Sequence, residues 1–414
     1  MLRQAHGLRK TRFISPEEAL GIVLAAVRPL ASRRAALGEA AHSYLAEDIR
    51  CDRDQPPADR AAMDGYAVRA ADLRRPPARL RLVGEVAAGS AGRSGVRPGT
   101  CAAILTGGNV PPGADAVVPV EQTGRQGPDV VFASPARRGM NIRRRGEEAR
   151  RGQVLLRTGA RLGPAEAGVC ALVGRARVRV RRQPRLAVLC TGAEVRDASE
   201  RVSPHETRDS NGPALLNALA EQGLPDVERI LAPDDPRAIA RHLRRALRGR
   251  DLVFVTGGVS VGRYDFVPEA VRAAGGRIRF HGVRMKPGQP VLYASVRGNR
   301  HILALPGNPV SALAGFFELG LPAIRRLRGE ARRRCRPSTR MRLGRPARSK
   351  GSRTYFALAR VVQTDDGPRA FPVASKGSAD IAAASRADGT IVVPEGVTEL
   401  PAGAWVDFHS WKKT

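Results

Sequence analysis

An apolar strand that runs directly into a glycine-rich turn constrains the fold of this chain most. Residues 252–255 are Leu-Val-Phe-Val, and T-G-G-V-S-V-G follows at 256–262 before a helical pattern begins at Phe266. Glycines let a ligand approach the backbone N–H groups, and the dipole of the following helix favours negative charge. A carboxylate at Asp265 would repel an anion bound there unless a cation lay between them. The segment therefore predicts a metal-assisted phosphate site.

Four short apolar runs alternate with helical patterns between residues 184 and 330. The predicted strands are 186–190, 227–231, 252–255 and 302–305, and the predicted helices are 213–222, Pro236–Leu247, 266–274 and 310–328. This alternation is typical of a doubly wound parallel sheet, in which ligands bind beyond the carboxyl ends of the strands. Glu194, Asp234 and Asp265 each follow one of these strands. We expect them to lie in the site.

Mainly β patterns flank this region on both sides. Runs at 80–86, 101–105, 116–120 and 130–132 predict a small β domain, and runs at 340–343, 355–362, 371–373, 390–393 and 405–408 predict a β barrel. Helical patterns at 15–30, preceded by a capping box, and at 164–173 complete the chain. The predicted domains are a discontinuous linker domain (15–50 with 150–183), a small β domain (51–149), an α/β domain (184–330) and a C-terminal barrel (331–414).

The formal net charge of +31 over 414 residues raises nucleic-acid binding as a possible function. However, only six of the seventy basic residues are lysine, the arginines occur in every segment, and aromatic residues make up 4%. This composition favours arginine enrichment from genomic base composition over a nucleic-acid surface. The five scattered cysteines suit a reducing cytoplasm, and the histidines lack the spacing of zinc ligands. The sequence contains no run of eighteen apolar residues, so it predicts no membrane-spanning helix.

Eight stretches, taken in order, resemble the molybdopterin molybdenumtransferase family, of the MoeA or gephyrin E-domain type. They are A-M-D-G-Y-A at 62–67, L-T-G-G at 105–108, N-I-R-R-R-G-E at 141–147, C-T-G-A-E at 190–194, D-S-N at 209–211, G-G-V-S-V-G at 257–262, K-P-G at 286–288 and L-P-G-N-P-V-S-A at 305–312. Any one of these motifs alone would be weak, whereas their order is highly specific.

The resemblance implies a multidomain α/β protein that forms an elongated homodimer. Its central domain would be a doubly wound α/β domain of the MoaB or MogA type, accompanied by two mainly β domains and a discontinuous linker domain. The implied reaction is the magnesium-dependent cleavage of adenylylated molybdopterin, in which AMP is released and the pterin dithiolene ligates molybdate. The phosphoanhydride, the second anion and the strand-end acids agree with this chemistry.

The resemblance also assigns roles to single residues. Asp265 and Glu194 would hold magnesium, and Asp234 and Lys286 would complete the catalytic set within the subunit, with Lys286 neutralising charge on the transferred group. The N–H groups of Gly257 and Gly258 would cradle an anion together with Ser260. Asp64, as a catalytic acid, and Thr106 would face the site from the other subunit. Gln289, Pro290, Arg353 and Ser378 would contact substrate, the last two on the molybdate side.

Several positions depart from the family pattern. Gln289 stands where lysine is usual, and a neutral hydrogen bond in place of a charge-assisted one should cost about 1 kcal/mol. Arg284 is a candidate to restore this charge, but the sequence does not show that it reaches the site. Two alternative functions remain open. The protein could be a divergent paralogue that acts on tungstate or another pterin nucleotide, or a non-catalytic binding scaffold of the same fold.

Overall fold

The computed structural model describes residues 13–87, 89, 95–259 and 266–412, so Ser260 and Asp265 lie outside the described residues. The chain divides into two compact units. One unit comprises Met1–Ala46, Gly159–Leu162 and Arg179–Thr414, and the other comprises Glu47–Thr158 and Gly163–Val178. Within the described residues, no helix has both the length and the apolar character needed to cross a membrane.

A six-stranded sheet forms the centre of the first unit. Its strands, in spatial order, are Glu228–Ala232, Leu186–Thr191, Leu252–Thr256, Arg300–Leu305, Leu292–Val296 and Arg277–His281. The first four are parallel, as the sequence predicts, and the last two are antiparallel additions that the sequence analysis missed. The fold is therefore a multidomain α/β fold whose central sheet is mixed.

Helices cover both faces of this sheet because its strands are apolar on both sides. Alternate residues of strand Leu252–Thr256 enter different cores: Phe254 packs in one cluster and Val255 in the other. Helices on the Val255 side are Pro236–Leu247 and Val267–Ala273; on the Phe254 side lie Pro16–Ala26, Asn211–Glu221, Pro309–Gly315, a π-helical turn Phe316–Gly320, and Leu321–Leu327.

The end of the chain forms the predicted barrel. Strand Thr354–Thr364 pairs on its two sides with Gly367–Pro372 and Gly389–Val393, and the circle closes through Thr339–Leu343 and Trp405–Ser410. The two-residue strand Met285–Lys286 ends at the first residue of the K-P-G-Q-P segment. It pairs in parallel with the first residues of Thr354–Thr364. The barrel thereby fixes the backbone of a predicted site residue.

A buried charge cluster joins the barrel to the helical layer. The Glu318 carboxylate, in the π-helical turn, lies 2.8 Å from His409 Nδ1 and 3.3 Å from Arg336 Nη1. Glu318 is 1% exposed and His409 is 7% exposed, so both ends of this contact are shielded from water. Buried charges need such partners, and these contacts link the barrel to the helical layer.

The second unit contains the small β domain. Its six-stranded sheet has the spatial order Ala116–Pro119, Gly65–Val68, Thr100–Ile104, Ala78–Val86, Asp129–Phe132 and Thr123–Gln126. Tyr66 and Phe132 meet edge to face in its core. The unit also holds the strand pairs Ile49–Arg50 with Val154–Leu156 and Arg60–Ala61 with Ile142–Arg143, and the helix Pro164–Leu172.

The predicted helices of the linker domain fall in different units. Pro16–Ala26 begins after Ser15, whose hydroxyl accepts from the Glu18 N–H at 3.1 Å, and its Val23 joins the core beneath the central sheet. Pro164–Leu172 belongs to the second unit. The four-domain boundaries given by the sequence therefore stay a prediction.

The remaining elements are short. They are the strands Ser32–Ala36, Arg177–Arg181, Val195–Arg196, Thr207–Arg208, Ala347–Arg348 and Glu399–Leu400, the helix Ile381–Ala384, and the 3-10 turns Gly38–Ala40, Ala70–Leu73, Val120–Gln122 and Arg332–Arg334.

Candidate functional site

A cavity of about 930 Å³ opens at the carboxyl ends of the parallel strands. We call it the strand-end cavity; its lining includes Glu194, Asp234, Gly257, Gly258 and Pro290, all of which the sequence predicted as site residues. Their meeting follows from the parallel sheet, because the turns after neighbouring strands emerge at the same edge.

The turn after Leu186–Thr191 positions Glu194. The Thr191 hydroxyl donates to the Thr256 carbonyl at 3.2 Å and so ties this turn to the next strand. Gly192 has φ +149°, and a Cβ placed on it would lie 3.1 Å from both carboxylate oxygens of Glu194. The absence of a side chain at Gly192 therefore lets the exposed Glu194 carboxylate fold back over the turn.

The glycine pair after Leu252–Thr256 is required by space and by backbone conformation. Gly257 has φ +89°, and a Cβ there would approach the Thr191 carbonyl oxygen to 2.4 Å; Gly258 has φ +58° and lies beside Asp234. The Gly257 N–H donates to the Leu305 carbonyl at 3.2 Å. This N–H is therefore already used in a contact between two strands and is not available to an anion. The predicted anion-binding N–H groups are then those of the residues that follow Gly257.

Other acids of the strand-end cavity are neutralised locally. Asp209 is buried and pairs with Arg229 at 2.8 Å, and its second oxygen accepts from the Gly212 N–H. Glu206 pairs with Arg196 at 2.6 Å, and the Ser203 backbone N–H is the main cause that lowers the pKa of Glu206. Within the described residues, Glu194 forms no ion pair. Its charge is therefore available to a cation.

The donor chemistry of this cavity fits magnesium. Glu194, the predicted magnesium ligand among the described lining residues, supplies carboxylate oxygens, and Mg²⁺ commonly uses one or two protein carboxylates while water and substrate phosphates complete its octahedron. In the described part of the chain, no group of three His, Cys, Asp or Glu side chains is placed to hold a metal ion. A complete protein cage is thus not formed by these residues, and magnesium does not need one.

A second cavity, of about 520 Å³, lies where the K-P-G-Q-P segment, the L-P-G-N-P turn and the barrel meet. We call it the barrel cavity. Its lining brings together the predicted residues Lys286, Gln289, Pro290, Arg353 and Ser378. Pro290, Pro306 and Asn308 line both cavities, so the two are adjacent.

Individual contacts set the chemistry of the barrel cavity. The Lys286 ammonium lies 4.8 Å from the centre of the Tyr355 ring, a cation–π contact. A guanidinium N–H of Arg353 donates to the side-chain carbonyl of Gln289. Gln289 therefore replaces a positive charge with an acceptor that orients the neighbouring arginine.

Arg284 does not restore the missing charge. Its guanidinium Nε lies 3.0 Å from a Glu395 carboxylate oxygen, and its Nη1 donates to the Phe13 carbonyl at 2.8 Å. These contacts satisfy Arg284 outside the lining of the barrel cavity. Arg284 is therefore not placed to supply the charge, and the sequence does not show which neighbours hold it.

Asp64 and Thr106 contact each other in the second unit. One carboxylate oxygen of Asp64 accepts from the Thr106 N–H at 2.7 Å and from its hydroxyl at 2.6 Å. The Thr106 hydroxyl and N–H lower the pKa of Asp64, so this exposed acid stays ionised. The arrangement pre-orients a carboxylate on the surface of the β domain.

Lys376 and Asn308 are among the cavity residues that the sequence analysis did not assign to the site. Lys376 lines the barrel cavity, and Asn308 bridges the two cavities through its position in L-P-G-N-P. The sequence offered a signal for Asn308, which lies in a quoted motif. For Lys376 the sequence offered no signal beyond its position two residues before Ser378.

Three family descriptions match the chain in order. The MoeA N-terminal region (domain I and II) matches residues 14–174, a probable molybdopterin binding domain matches 187–326, and the MoeA C-terminal region (domain IV) matches 340–411. A molybdopterin molybdenumtransferase of Staphylococcus aureus (strain COL) is 32% identical over 380 residues, which cover 90% of each chain. The chain belongs to the molybdopterin molybdenumtransferase family.

Other relatives and solved structures agree with this membership. The molybdopterin molybdenumtransferase of Synechocystis sp. is 28% identical over 374 residues, 89% of this chain and 92% of the relative. The crystal structure of the molybdopterin biosynthesis moeA protein from Pyrococcus horikoshii OT3 superposes with a TM-score of 0.81 at 27% identity, covering 96% of this chain and all of that one. The match spans every predicted domain of this family member.

Proposed function

We propose that this protein inserts molybdate into adenylylated molybdopterin and releases AMP. The observation that carries the proposal is the adjacency of two cavities of opposite charge. The strand-end cavity presents the unpaired carboxylate of Glu194 beside Asp234, whereas the barrel cavity presents cations and, among its described lining residues, no acid. A substrate with a phosphoanhydride and a tetrahedral oxyanion would need both environments side by side.

The strand-end cavity would bind the nucleotide end of the substrate. Glu194 and Asp265 are proposed to hold magnesium, which when bound would neutralise the phosphoanhydride charge. Asp265 and Glu194 would also orient the group that attacks the phosphorus. Asp234, beside Gly258, would complete the acidic catalytic set. Ser260 and the Gly258 backbone would contact a phosphate at the start of the following helix.

The barrel cavity would bind molybdate. Arg353, held by Gln289, can direct its remaining N–H groups to an oxyanion in a fixed plane, which a lysine cannot do. Lys286 would neutralise charge on the transferred group, and the Ser378 hydroxyl would donate to an oxyanion oxygen. Pro290 lies between the two cavities and would contact the pterin side of the substrate.

Asp64 and Thr106 are proposed to act in the site of a second subunit. The family resemblance assigns them there, and their mutual hydrogen bonds keep the carboxylate ionised and oriented. This makes a homodimer the functional species and predicts that a monomer is inactive. We place the protein in the cytoplasm, where its five described free cysteines would remain reduced.

The test is a reconstitution with purified protein, adenylylated molybdopterin, molybdate and magnesium. We expect AMP and active molybdenum cofactor in equal amounts, and loss of both on chelation of magnesium. Failure to form either product would overturn the proposal. Preference for tungstate over molybdate in a competition would replace it with the paralogue that acts on another oxyanion.

A further inference from the structure

The barrel cavity contains one more cation than the sequence analysis assigned. Its described lining holds Lys286, Arg353 and Lys376. Tetrahedral oxyanions of the molybdate type carry two negative charges, and their desolvation must be offset by cations or hydrogen-bond donors. The third cation therefore needs an explanation.

The two previously assigned cations are already partly engaged. Arg353 donates to Gln289, and Lys286 rests over the Tyr355 ring. Arg284 is held by Glu395 and by the Phe13 carbonyl and does not line the cavity. Position 289 carries no charge, so the K-P-G-Q-P segment brings a single ammonium to the cavity.

Lys376 is positioned by a local network that leaves its ammonium unpaired. Its backbone N–H donates to Asp380 at 2.9 Å, and the other Asp380 oxygen accepts from Ala383 N–H at 3.0 Å, capping helix Ile381–Ala384. These two backbone N–H groups lower the pKa of Asp380. Within the described residues, the Lys376 ammonium forms no salt bridge, although the Asp380 charge is close enough to act on it weakly.

The turn around Lys376 is fixed further by two serines. The Ser375 hydroxyl donates to the Gly377 carbonyl at 3.1 Å and accepts from the Gly377 N–H at 3.2 Å. Ser378 accepts from the Asn308 amide through its hydroxyl and from Val310 N–H through its carbonyl. Lys376 thus projects from a turn that is anchored on both sides, which reduces the entropy lost when it binds an anion.

We infer that Lys376 is an oxyanion-binding residue that supplies the second ammonium of the barrel cavity in place of residue 289. The inference rests on the proposed function and names the residue that determines oxyanion affinity in this chain. Two lysines and the Arg353 guanidinium, all in the lining of one cavity, would offset the charge of a dianion. Gln289 then acts by orienting Arg353, and the charge lost at 289 is recovered 87 positions later in the chain.

The experiment measures AMP release against molybdate concentration for the full-length protein and for Lys376→Gln. We expect the KM for molybdate to rise about ten-fold or more, with kcat at saturating molybdate and the melting temperature nearly unchanged. Lys376→Arg should keep most of the affinity. Lys350→Gln, an exposed lysine of the same domain that lines neither cavity, is the matched control and should leave KM unchanged.

Charge relocation provides the decisive variant. Gln289→Lys introduced into Lys376→Gln should restore the molybdate KM, because it returns an ammonium to the same cavity. An unchanged KM in Lys376→Gln, or no rescue by Gln289→Lys, would overturn the inference while native AMP release continues. Absence of AMP release by the native protein would instead overturn the proposed function, so the two failures are distinguishable.

Discussion

The side-chain amide of Asn308 donates a hydrogen bond of 2.9 Å to the Ser378 hydroxyl. Two residues further, the Val310 N–H donates to the Ser378 carbonyl at 3.0 Å. Ser378 is therefore held by the turn that ends strand Arg300–Leu305, although it belongs to the barrel domain. Because Asn308 lines both cavities, this contact fixes the wall between them.

Asn308→Ala should weaken molybdate binding more than catalysis. Loss of one neutral hydrogen bond costs about 1 kcal/mol, which corresponds to a five-fold rise in the KM for molybdate. The measurement is AMP release at varied molybdate. Asn217→Ala removes a comparable amide bond, to the Pro213 carbonyl at 2.9 Å, outside both cavities and should leave KM unchanged. Equal effects of the two substitutions would show that Asn308 has only a structural role.

Gly257→Ala should damage both stability and activity. Its Cβ would meet the Thr191 carbonyl oxygen at 2.4 Å, which forces two neighbouring strand ends apart. Gly275→Ala is the matched control, since Gly275 has a similar φ of +83° with open space around it. The control should lose about 1 to 2 kcal/mol of stability from backbone strain alone.

The two glycine variants are compared by urea unfolding and by AMP release. We expect Gly257→Ala to be clearly less stable than Gly275→Ala and to lose at least ten-fold in kcat, because the turn that carries the anion loop moves. Similar unfolding midpoints for both variants would mean that the strand ends move apart without loss of stability. This outcome would contradict the steric argument for Gly257.

Local patterns predicted the elements of the α/β domain because its strands are buried on both faces. Strand Leu252–Thr256 feeds residues to two cores, and such a strand has no polar face to obscure it in the sequence. Strand Arg277–His281 lies at the edge of the sheet. Its sequence, Arg-Ile-Arg-Phe-His, has the alternation of polar and apolar residues that is typical of a half-buried strand, a signal that was not used. Edge position is a property of the sheet, and the sequence alone does not contain it.

The same distinction between local and long-range information applies to the candidate site. Residues after parallel strands could be placed together, because one rule of topology brings those turns to one edge. Contacts between distant segments could not be predicted from the sequence. Gln289 and Arg353 are 64 positions apart, and Arg284 and Glu395 are 111 positions apart. Side-chain partners over such distances depend on how barrel and sheet dock.

His301 should make stability depend on pH. It is 1% exposed, and burial lowers the pKa of its imidazole to about 4. Its Nε2 lies 3.2 Å from the Asn299 side-chain oxygen, an acceptor, so Nε2 carries the proton and Nδ1 accepts from the Tyr293 hydroxyl at 2.8 Å. The folded state thus holds neutral imidazole.

The sign of the effect follows from proton binding. Because the folded pKa is lowered, the unfolded chain binds the proton first as pH falls below about 6.5, and stability is lost between there and about 4. Between pH 7.5 and 5 the loss should be about 2 kcal/mol. His301→Gln should remove this part of the pH dependence of the melting temperature. Parallel pH curves for native protein and variant would contradict the assignment.

A heterodimer of two inactive variants tests whether sites are shared between subunits. Asp64→Ala and Glu194→Gln chains, carrying different affinity tags, are co-expressed and the mixed dimer is isolated. If Asp64 acts in the partner's site, one of the two sites combines a native Asp64 with a native Glu194, whereas the other carries both substitutions. The mixed dimer should then show about half of the native AMP release.

Sites formed within a single chain predict a different activity for the mixed dimer. If Asp64 and Glu194 of one chain served the same site, each site of the mixed dimer would carry one substitution and activity would stay near that of the single variants. Thr106→Ser, which keeps the hydroxyl that binds Asp64, should remain active in every combination, and Thr106→Ala should behave as a weaker form of Asp64→Ala. Failure to isolate any mixed dimer would contradict the homodimer itself, because shared sites require that two subunits associate.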